Sequence, residues 1–273
     1  MDSTPPEAQE RPLSFLAAAF WTLIVGILYY ATVVVVDAAR PGALTDVVSR
    51  TTCTVLVYSI CFFALLRVHE PEASIRQVLA LRRPPVALLL LGAAVGAGMA
   101  PGAMWLNATF LARFPPPASE VEAVATLLAA PTLAKKIALV VTLVIVAPAC
   151  DELFFRGALF TPLKRGRRAE SVILATAAYD TLLGASPHEI GSMLAVSLAF
   201  AWLRAVSGSV FPSLVARTAF FAVQVVPLVI DREPKYTHAV ALGGAALAML
   251  SLAAASAIGK RSARVLEARL QDG

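Results

Sequence analysis

Three charged side chains stand close together in the segment PACDELFFRG, residues 148–157, which is otherwise apolar. Asp151 and Glu152 are adjacent, and Arg156 follows Glu152 by four residues. Two neighbouring carboxylates can do general acid–base work when a cation holds one of them ionised and apolar surroundings keep the other protonated. The spacing of four puts Glu152 and Arg156 on one helix face, so we predict that they pair directly. Asp151 lies about 100° round the helix, where another partner can reach it.

The composition is typical of an integral membrane protein. Of the 273 residues, 58% are hydrophobic and 15% are charged, whereas soluble domains have about 45–50% and about 25%. The net charge of +5 is modest, and no basic stripe is interleaved with aromatic residues, which argues against nucleic-acid binding. We therefore expect the lipid bilayer as a partner and no nucleic acid.

Eight apolar runs are candidates for membrane spans, because a helix needs about 20 apolar residues to cross about 30 Å of hydrocarbon. The run at 170–184 is short and contains Asp180, and the third run is interrupted by Pro101 and Gly102. The pattern predicts an all-α, polytopic transmembrane helical bundle of about eight spans. The runs are 13–36, 51–68, 84–111, 137–163, 170–184, 190–206, 210–230 and 238–259.

The distribution of Lys and Arg predicts the orientation, because these residues accumulate in cytoplasmic loops. They are densest after the second run, after the fourth run and in the C-terminal tail, which fits eight crossings with both termini in the cytoplasm. We expect a multi-pass protein of a bacterial-type inner (plasma) membrane. The three clusters are Arg67, Arg76, Arg82 and Arg83; Lys164, Arg165, Arg167 and Arg168; and Lys260, Arg261, Arg264 and Arg269.

Four regions follow from this pattern. Residues 1–12 form a polar cytoplasmic tail, 13–136 the first spans and a long loop, 137–230 the charged core, and 231–273 the last span with a basic tail. In the long loop, VEAVATLLA (121–129) is amphipathic and fits either an interfacial helix or a plain external loop. The N-terminus lacks the basic region of a secretory signal, so we expect the first apolar run to be retained.

The histidines do not form a metal-site pattern. His69 and His238 lie at the ends of apolar runs, and His188 lies in the short loop SPHE. The pair His188–Glu189 is a weak signal without a second spaced ligand, as in HExxH. We therefore expect no metal and no cofactor.

The segment DELFFRGALF, residues 151–160, resembles the first motif of the CPBP intramembrane proteases. This family includes CAAX prenyl endopeptidases and bacteriocin-processing or self-immunity (Abi-type) proteins, and its motif reads Glu-Glu-x-x-x-Arg-Gly. The resemblance covers about residues 137–225 and implies the fold of an intramembrane endopeptidase. It also implies that position 151 is that of the water-activating glutamate, where this chain has the shorter Asp151.

The second and third motifs of that family are changed. Phe-x-x-x-His is matched by Thr176-Ala-Ala-Tyr-Asp180, which has aspartate in place of histidine. His-x-x-x-Asn follows GSVFP (208–212) and is matched by Arg217 and Phe221. Asp180, Arg217 and Phe221 thus stand at the positions of the family's His, His and Asn. The resemblance implies six catalytic positions: Asp151, Glu152, Arg156, Asp180, Arg217 and Phe221.

Three functions are compatible with these residues. Three acids and two arginines can form a largely compensated buried network, although pairing barely offsets the cost of desolvation. This favours a catalytically degenerate protein that acts as a partner or regulator of a protease or protein-sorting system, with an active membrane protease or its protein substrate as partner. The alternatives are an active CAAX-protease-like endopeptidase that uses Asp151 or Glu152, and a proton-coupled transporter, since intramembrane carboxylates can relay protons.

Overall fold

A computed structural model describes residues 13–230, 232 and 236–271, with the side chains of 262–271 outside the description. The predicted tail at 1–12 also lies outside the described residues. The described part is built from helices and loops, with no strand in it. Its helices are α1 (Phe15–Ala39), α2 (Val47–His69), α3 (Ile75–Val78), α4 (Val86–Arg113), α5 (Ala118–Leu128), α6 (Leu133–Lys164), α7 (Ala169–Gly184), α8 (Ile190–Ser207), α9 (Phe211–Val229) and α10 (His238–Gln271).

The prediction of an all-α polytopic bundle is confirmed. In the described part of the chain, seven helices are long and apolar enough to cross a membrane: α1, α2, α4, α6, α8, α9 and α10. The predicted short run forms α7, which has 16 residues. At about 1.5 Å per residue it is about 24 Å long, less than the about 30 Å of a hydrocarbon core. The chain is a multi-pass membrane protein.

Hydrogen bonds from the preceding loop fix the start of α2. The carboxylate of Asp46, its N-cap residue, accepts hydrogen bonds from the backbone N–H of Ser49 at 3.0 Å and from the Ser49 hydroxyl at 2.6 Å. The hydroxyl bond in particular holds the pKa of Asp46 below its usual value. A side-chain cap of this kind satisfies one of the N–H groups that the first helical turn leaves without a partner.

The third predicted run, 84–111, forms the single helix α4, which continues through Pro101 and Gly102. Neighbouring helices pack closely enough to support a helix that contains proline. A Cβ atom on Gly96 would overlap the carbonyl oxygen of Ala216 in α9. A Cβ atom on Gly98 would lie 2.6 Å from the carbonyl oxygen of Gly244 in α10. The absence of side chains therefore lets α4 lie directly against both helices.

The connection between α2 and α4 folds back into the bundle. Leu79, in the turn after α3, is buried and packs against Gly157 of α6. The carbonyl oxygen of Ala80 accepts a hydrogen bond from the N–H of Val210 at 3.4 Å. The Ser209 hydroxyl donates to the Arg82 carbonyl oxygen at 2.7 Å. These contacts fix this connection against α6 and the start of α9.

The amphipathic loop segment forms α5, so a helix is confirmed there. None of its residues is buried. Val121 and Val124 expose about half of their surface, as expected for a helix whose apolar face meets lipid. Its position at the membrane surface stays a prediction.

Candidate functional site

Helix α6 carries the first motif on a locally widened stretch. Val141–Val146 and Glu152–Leu159 have π-helical geometry on either side of Pro148. Pro148 lacks the N–H that an α-helix would use, and α6 nevertheless stays continuous across it. Such π turns are rare and often lie at functional sites. Here they determine the directions in which the acids and Arg156 project.

Arg217 lies at the centre of the site and contacts three carboxylates. Its Nε donates to Oε1 of Glu152 at 2.7 Å, and its Nη1 donates to Oδ2 of Asp151 at 2.8 Å. Its Nη2 donates to Oδ2 of Asp180. One guanidinium thus joins α9 to α6 and α7, which its planar set of N–H donors makes geometrically possible.

Arg156 is the second cation of the site. Its Nη1 donates to Asp180 at 2.5 Å, and its Nη2 donates to the carbonyl oxygen of Ser197 at 2.9 Å. The Ser197 hydroxyl also donates to Asp180. The predicted Glu152–Arg156 pair is present only as a long ion pair of 3.6 Å, beyond hydrogen-bond length. Arg156 makes its shorter bonds to α7 and α8, and Glu152 makes its short bond to Arg217.

We call these five residues the acid–arginine cluster: Asp151, Glu152, Arg156, Asp180 and Arg217. Glu152 and Arg156 are fully buried, and Asp180 and Arg217 nearly so. The side chain of Asp151 is 25% exposed. Counted formally, three carboxylates face two guanidinium groups. Two enclosed atoms of the described chain, Glu152 Oε2 and Arg156 Nε, have no hydrogen-bond partner, so the cluster is costly to bury.

Tyr58 of α2 also belongs to the site, and the sequence analysis missed it. Its hydroxyl donates to Oδ1 of Asp151 at 2.7 Å, and its ring packs edge-on against Phe154 at 5.5 Å between centroids. A cavity of about 110 Å³ lies beside Tyr58 and Cys150. Tyr58 is 93 residues from Asp151, and no local pattern marks it.

Arg204 of α8 was missed as well, although it falls inside the predicted run 190–206 and its charge was an available signal. Its Nε donates to the carbonyl oxygen of Arg156 at 2.9 Å, and its Nη2 donates to the Thr161 hydroxyl at 3.1 Å. Its guanidinium lies 5.0 Å from the ring centroid of Phe160. Arg204 therefore joins the end of α8 to α6, next to the cluster.

Phe221 provides no polar group at the position of the family's asparagine. Its ring packs edge-on against Phe220 at 5.3 Å between centroids, and it lies among apolar side chains of α4, α6 and α9. Of the six predicted positions, the structure joins five in the cluster, while Phe221 extends the apolar core. Within the described residues, no group of three His, Cys, Asp or Glu residues could hold a metal ion.

The arrangement favours fixed electrostatics over proton transfer. The acids of the cluster already accept hydrogen bonds from guanidinium, hydroxyl or phenol groups. A guanidinium remains protonated in proteins and so cannot alternate between acid and base. The cluster can therefore bind helices to one another strongly.

Part of the chain matches a protein-family model. Residues 133–223 match the family described as type II CAAX prenyl endopeptidase, Rce1-like. This segment is therefore similar to the membrane domain of the CPBP family. It contains all five residues of the acid–arginine cluster, which confirms the resemblance first seen in the DELFFRGALF motif. No curated protein and no solved structure matches the chain.

Proposed function

We propose that this CPBP-family membrane protein does not hydrolyse peptide bonds and that it acts by binding. Its role would be that of a partner or regulator in a protease or protein-sorting system of a bacterial-type inner membrane, with both termini in the cytoplasm. One observation carries the proposal: the guanidinium of Arg217 binds Asp151, Glu152 and Asp180 through three different nitrogens. The resemblance places a histidine at this position in active members.

The three replaced positions each remove part of a hydrolytic centre. Peptide hydrolysis needs donors aimed at the developing oxyanion. Asp180 is itself an acceptor for two arginines, and Phe221 has no polar atom. Arg217 could stabilise an oxyanion by its charge, but its Nε, Nη1 and Nη2 are each already bonded to an acid. The cluster thus retains the first motif without the groups that would act with it.

The same bonds give the cluster a structural role that supports a binding function. Arg217 and Arg156 together connect α6, α7, α8 and α9. Removal of either arginine would leave buried carboxylates without their partner, which typically costs about 3–5 kcal/mol. Such a network specifies one packing of the four helices and so preserves a surface for a protein partner.

A peptidase assay tests the absence of hydrolysis. The purified chain in bicelles is incubated with a prenylated CAAX peptide, beside Glu152→Gln and an active CPBP endopeptidase as the positive control. We expect the native chain and Glu152→Gln to release no more product than the buffer. Cleavage by the native chain that disappears in Glu152→Gln, at equal protein level, would show that the chain is an enzyme.

A second assay tests the partner role. The chain is co-expressed with an active CPBP endopeptidase from the same membrane, and both cleavage rate and co-purification are measured. We expect the two proteins to co-purify and the rate to depend on the presence of the chain. An unchanged rate without co-purification would remove the regulatory role while leaving the result of the first assay intact.

An active endopeptidase is the second candidate, and the exposure of Asp151 favours it. Asp151 is the most exposed member of the cluster, at 25% of its side chain, and its hydrogen-bond partner Tyr58 and its neighbour Cys150 line a cavity. Under this candidate, Asp151→Asn abolishes cleavage of the prenylated peptide. Under the proposal above there is no cleavage to abolish.

A further inference from the structure

Arg204 carries a buried charge without an acidic partner. It is 4% exposed, and its two hydrogen bonds go to the neutral oxygens of Arg156 and Thr161. No carboxylate of the described residues lies within ion-pair distance of it. Its Nη1 has no acceptor in the described chain, and it is not among the fully enclosed atoms that lack a partner.

Two further cations are close enough to act electrostatically on Arg204. They are Arg82, before α4, and Lys164, the last residue of α6. Lys164 follows Thr161, whose hydroxyl Arg204 binds, by three residues. Glu152 also acts electrostatically on Arg204, but from beyond ion-pair distance. Both side chains are exposed, and neither has an ion-pair partner in the described part of the chain. Three positive charges therefore lie around the ends of α6 and α8, and none of them forms an ion pair with a carboxylate of the described residues.

The backbone holds these cations in place. The Ser209 hydroxyl binds the carbonyl oxygen of Arg82, which fixes the Arg82 backbone beside the start of α9. Neighbouring basic residues are engaged elsewhere: Arg165 pairs with Glu70 at 2.9 Å, and Arg167 donates to the carbonyl oxygens of Leu13 and Leu163. Arg82, Lys164 and Arg204 therefore differ from Arg165 and Arg167, whose guanidinium groups already have acceptors.

We propose that Arg82, Lys164 and Arg204 form a binding site for a phosphate group. Three converging cations are complementary to its charge, and a guanidinium with a free N–H suits its oxygens. The site lies where α6 and α8 end, the depth at which helices meet the headgroups of a bilayer. A lipid phosphate diester or free phosphate shares this chemistry, and basic residues at this depth favour anionic lipid.

Arg204 also suits the last turn of α8, where a cation complements the helix dipole. That role needs no ligand, so the test must measure binding itself. The purified chain in neutral detergent is titrated with phosphatidylglycerol, with phosphatidylcholine and with inorganic phosphate, and bound ligand is counted by native mass spectrometry. The exposed residues Arg82 and Lys164 carry the test, because Arg204→Gln could unfold the protein. Arg168→Gln, an exposed basic residue of the same region, is the matched control.

We expect phosphatidylglycerol to bind about tenfold or more tightly than phosphatidylcholine. We expect Lys164→Gln or Arg82→Gln to weaken its binding about fivefold each, and Arg168→Gln to leave it unchanged. If inorganic phosphate competes with phosphatidylglycerol at equal affinity, the site is supported, and its ligand is free phosphate. Equal binding of the two lipids without phosphate binding, or an equal loss in Arg168→Gln, would overturn the proposal.

Discussion

Two regions of the bundle hold helices together by opposite means. In the acid–arginine cluster, α6, α7 and α9 are joined by charges that converge on Arg217. Along α4, backbones touch directly because Gly96 faces the carbonyl of Ala216, and Gly98 faces that of Gly244. Lipid provides no hydrophobic force between helices, so close packing and polar bonds must supply their association.

The two regions meet on α9. Ala216 lies against Gly96 in the glycine contact, while its neighbour Arg217 binds the acids. Successive residues of a helix point about 100° apart, so one turn of α9 serves both regions. The glycine contact is sensitive to volume, whereas the cluster is sensitive to the sum and the arrangement of its charges.

Exchanging the charges of Asp180 and Arg217 should have the largest effect. In Asp180→Arg/Arg217→Asp, the new aspartate would face Asp151 and Glu152, and the new arginine would face Arg156. We expect the unfolding free energy of the double variant to fall by about 3–5 kcal/mol or more, the loss typical of a broken buried ion pair. Denaturing-detergent titration in mixed micelles measures the loss. Recovery of native stability in the double variant would show an isolated pair in place of a five-residue cluster.

Filling the glycine contact should have the next largest effect. Gly96→Ala would place a methyl group on the carbonyl oxygen of Ala216, and we expect a loss of about 3 kcal/mol, the upper part of the overpacking range. Gly102→Ala is the matched control on the same helix, because its nearest neighbour would lie 3.9 Å away. It should keep or slightly raise the unfolding free energy, since alanine favours helix. Equal losses in both variants would contradict the close approach of α4 and α9.

The smallest effect is expected outside both regions, at the cap of α2. Asp46→Ala should cost about 1 kcal/mol of unfolding free energy at neutral pH. The pKa of Asp46 is lowered in the folded chain, so its contribution is fully present above the ordinary value of 3.8 and is lost as the pH falls through the lowered one. Ser49→Ala removes the hydroxyl bond and should reduce the same loss of unfolding free energy at acid pH. If neither variant changes how the unfolding free energy falls at acid pH, the cap at Asp46 is refuted.

The charges that define the cluster could largely be found from the sequence, because charged residues inside apolar runs are rare. The matched motifs correctly suggested that Asp180 and Arg217 lie together. The rotation of each helix about its own axis was not predictable, because it depends on packing against helices far away in the chain. For that reason the bonds from Tyr58 to Asp151 and from Arg156 to Ser197 were missed.

For the helices too, the sequence indicated the local features and missed those that depend on tertiary packing. Hydropathy located the apolar runs, including the short run at 170–184, which forms the 16-residue helix α7. It placed Pro101 inside one run, but it did not reveal how closely α9 and α10 pack against the glycines of α4, because those are tertiary contacts. Nor did it reveal the π turns around Pro148.

The central claim is that Arg217 stabilises the bundle by compensating the acids around it. Its most direct test is a thermodynamic cycle in the same mixed micelles, with Arg217→Met, Asp151→Asn/Glu152→Gln, and all three substitutions together. We predict that Arg217→Met alone loses about 3–5 kcal/mol of unfolding free energy. With the two acids already neutralised, the same substitution should cost less by about 1–3 kcal/mol. A native-like stability for Arg217→Met, or an equal cost in both backgrounds, would contradict the account.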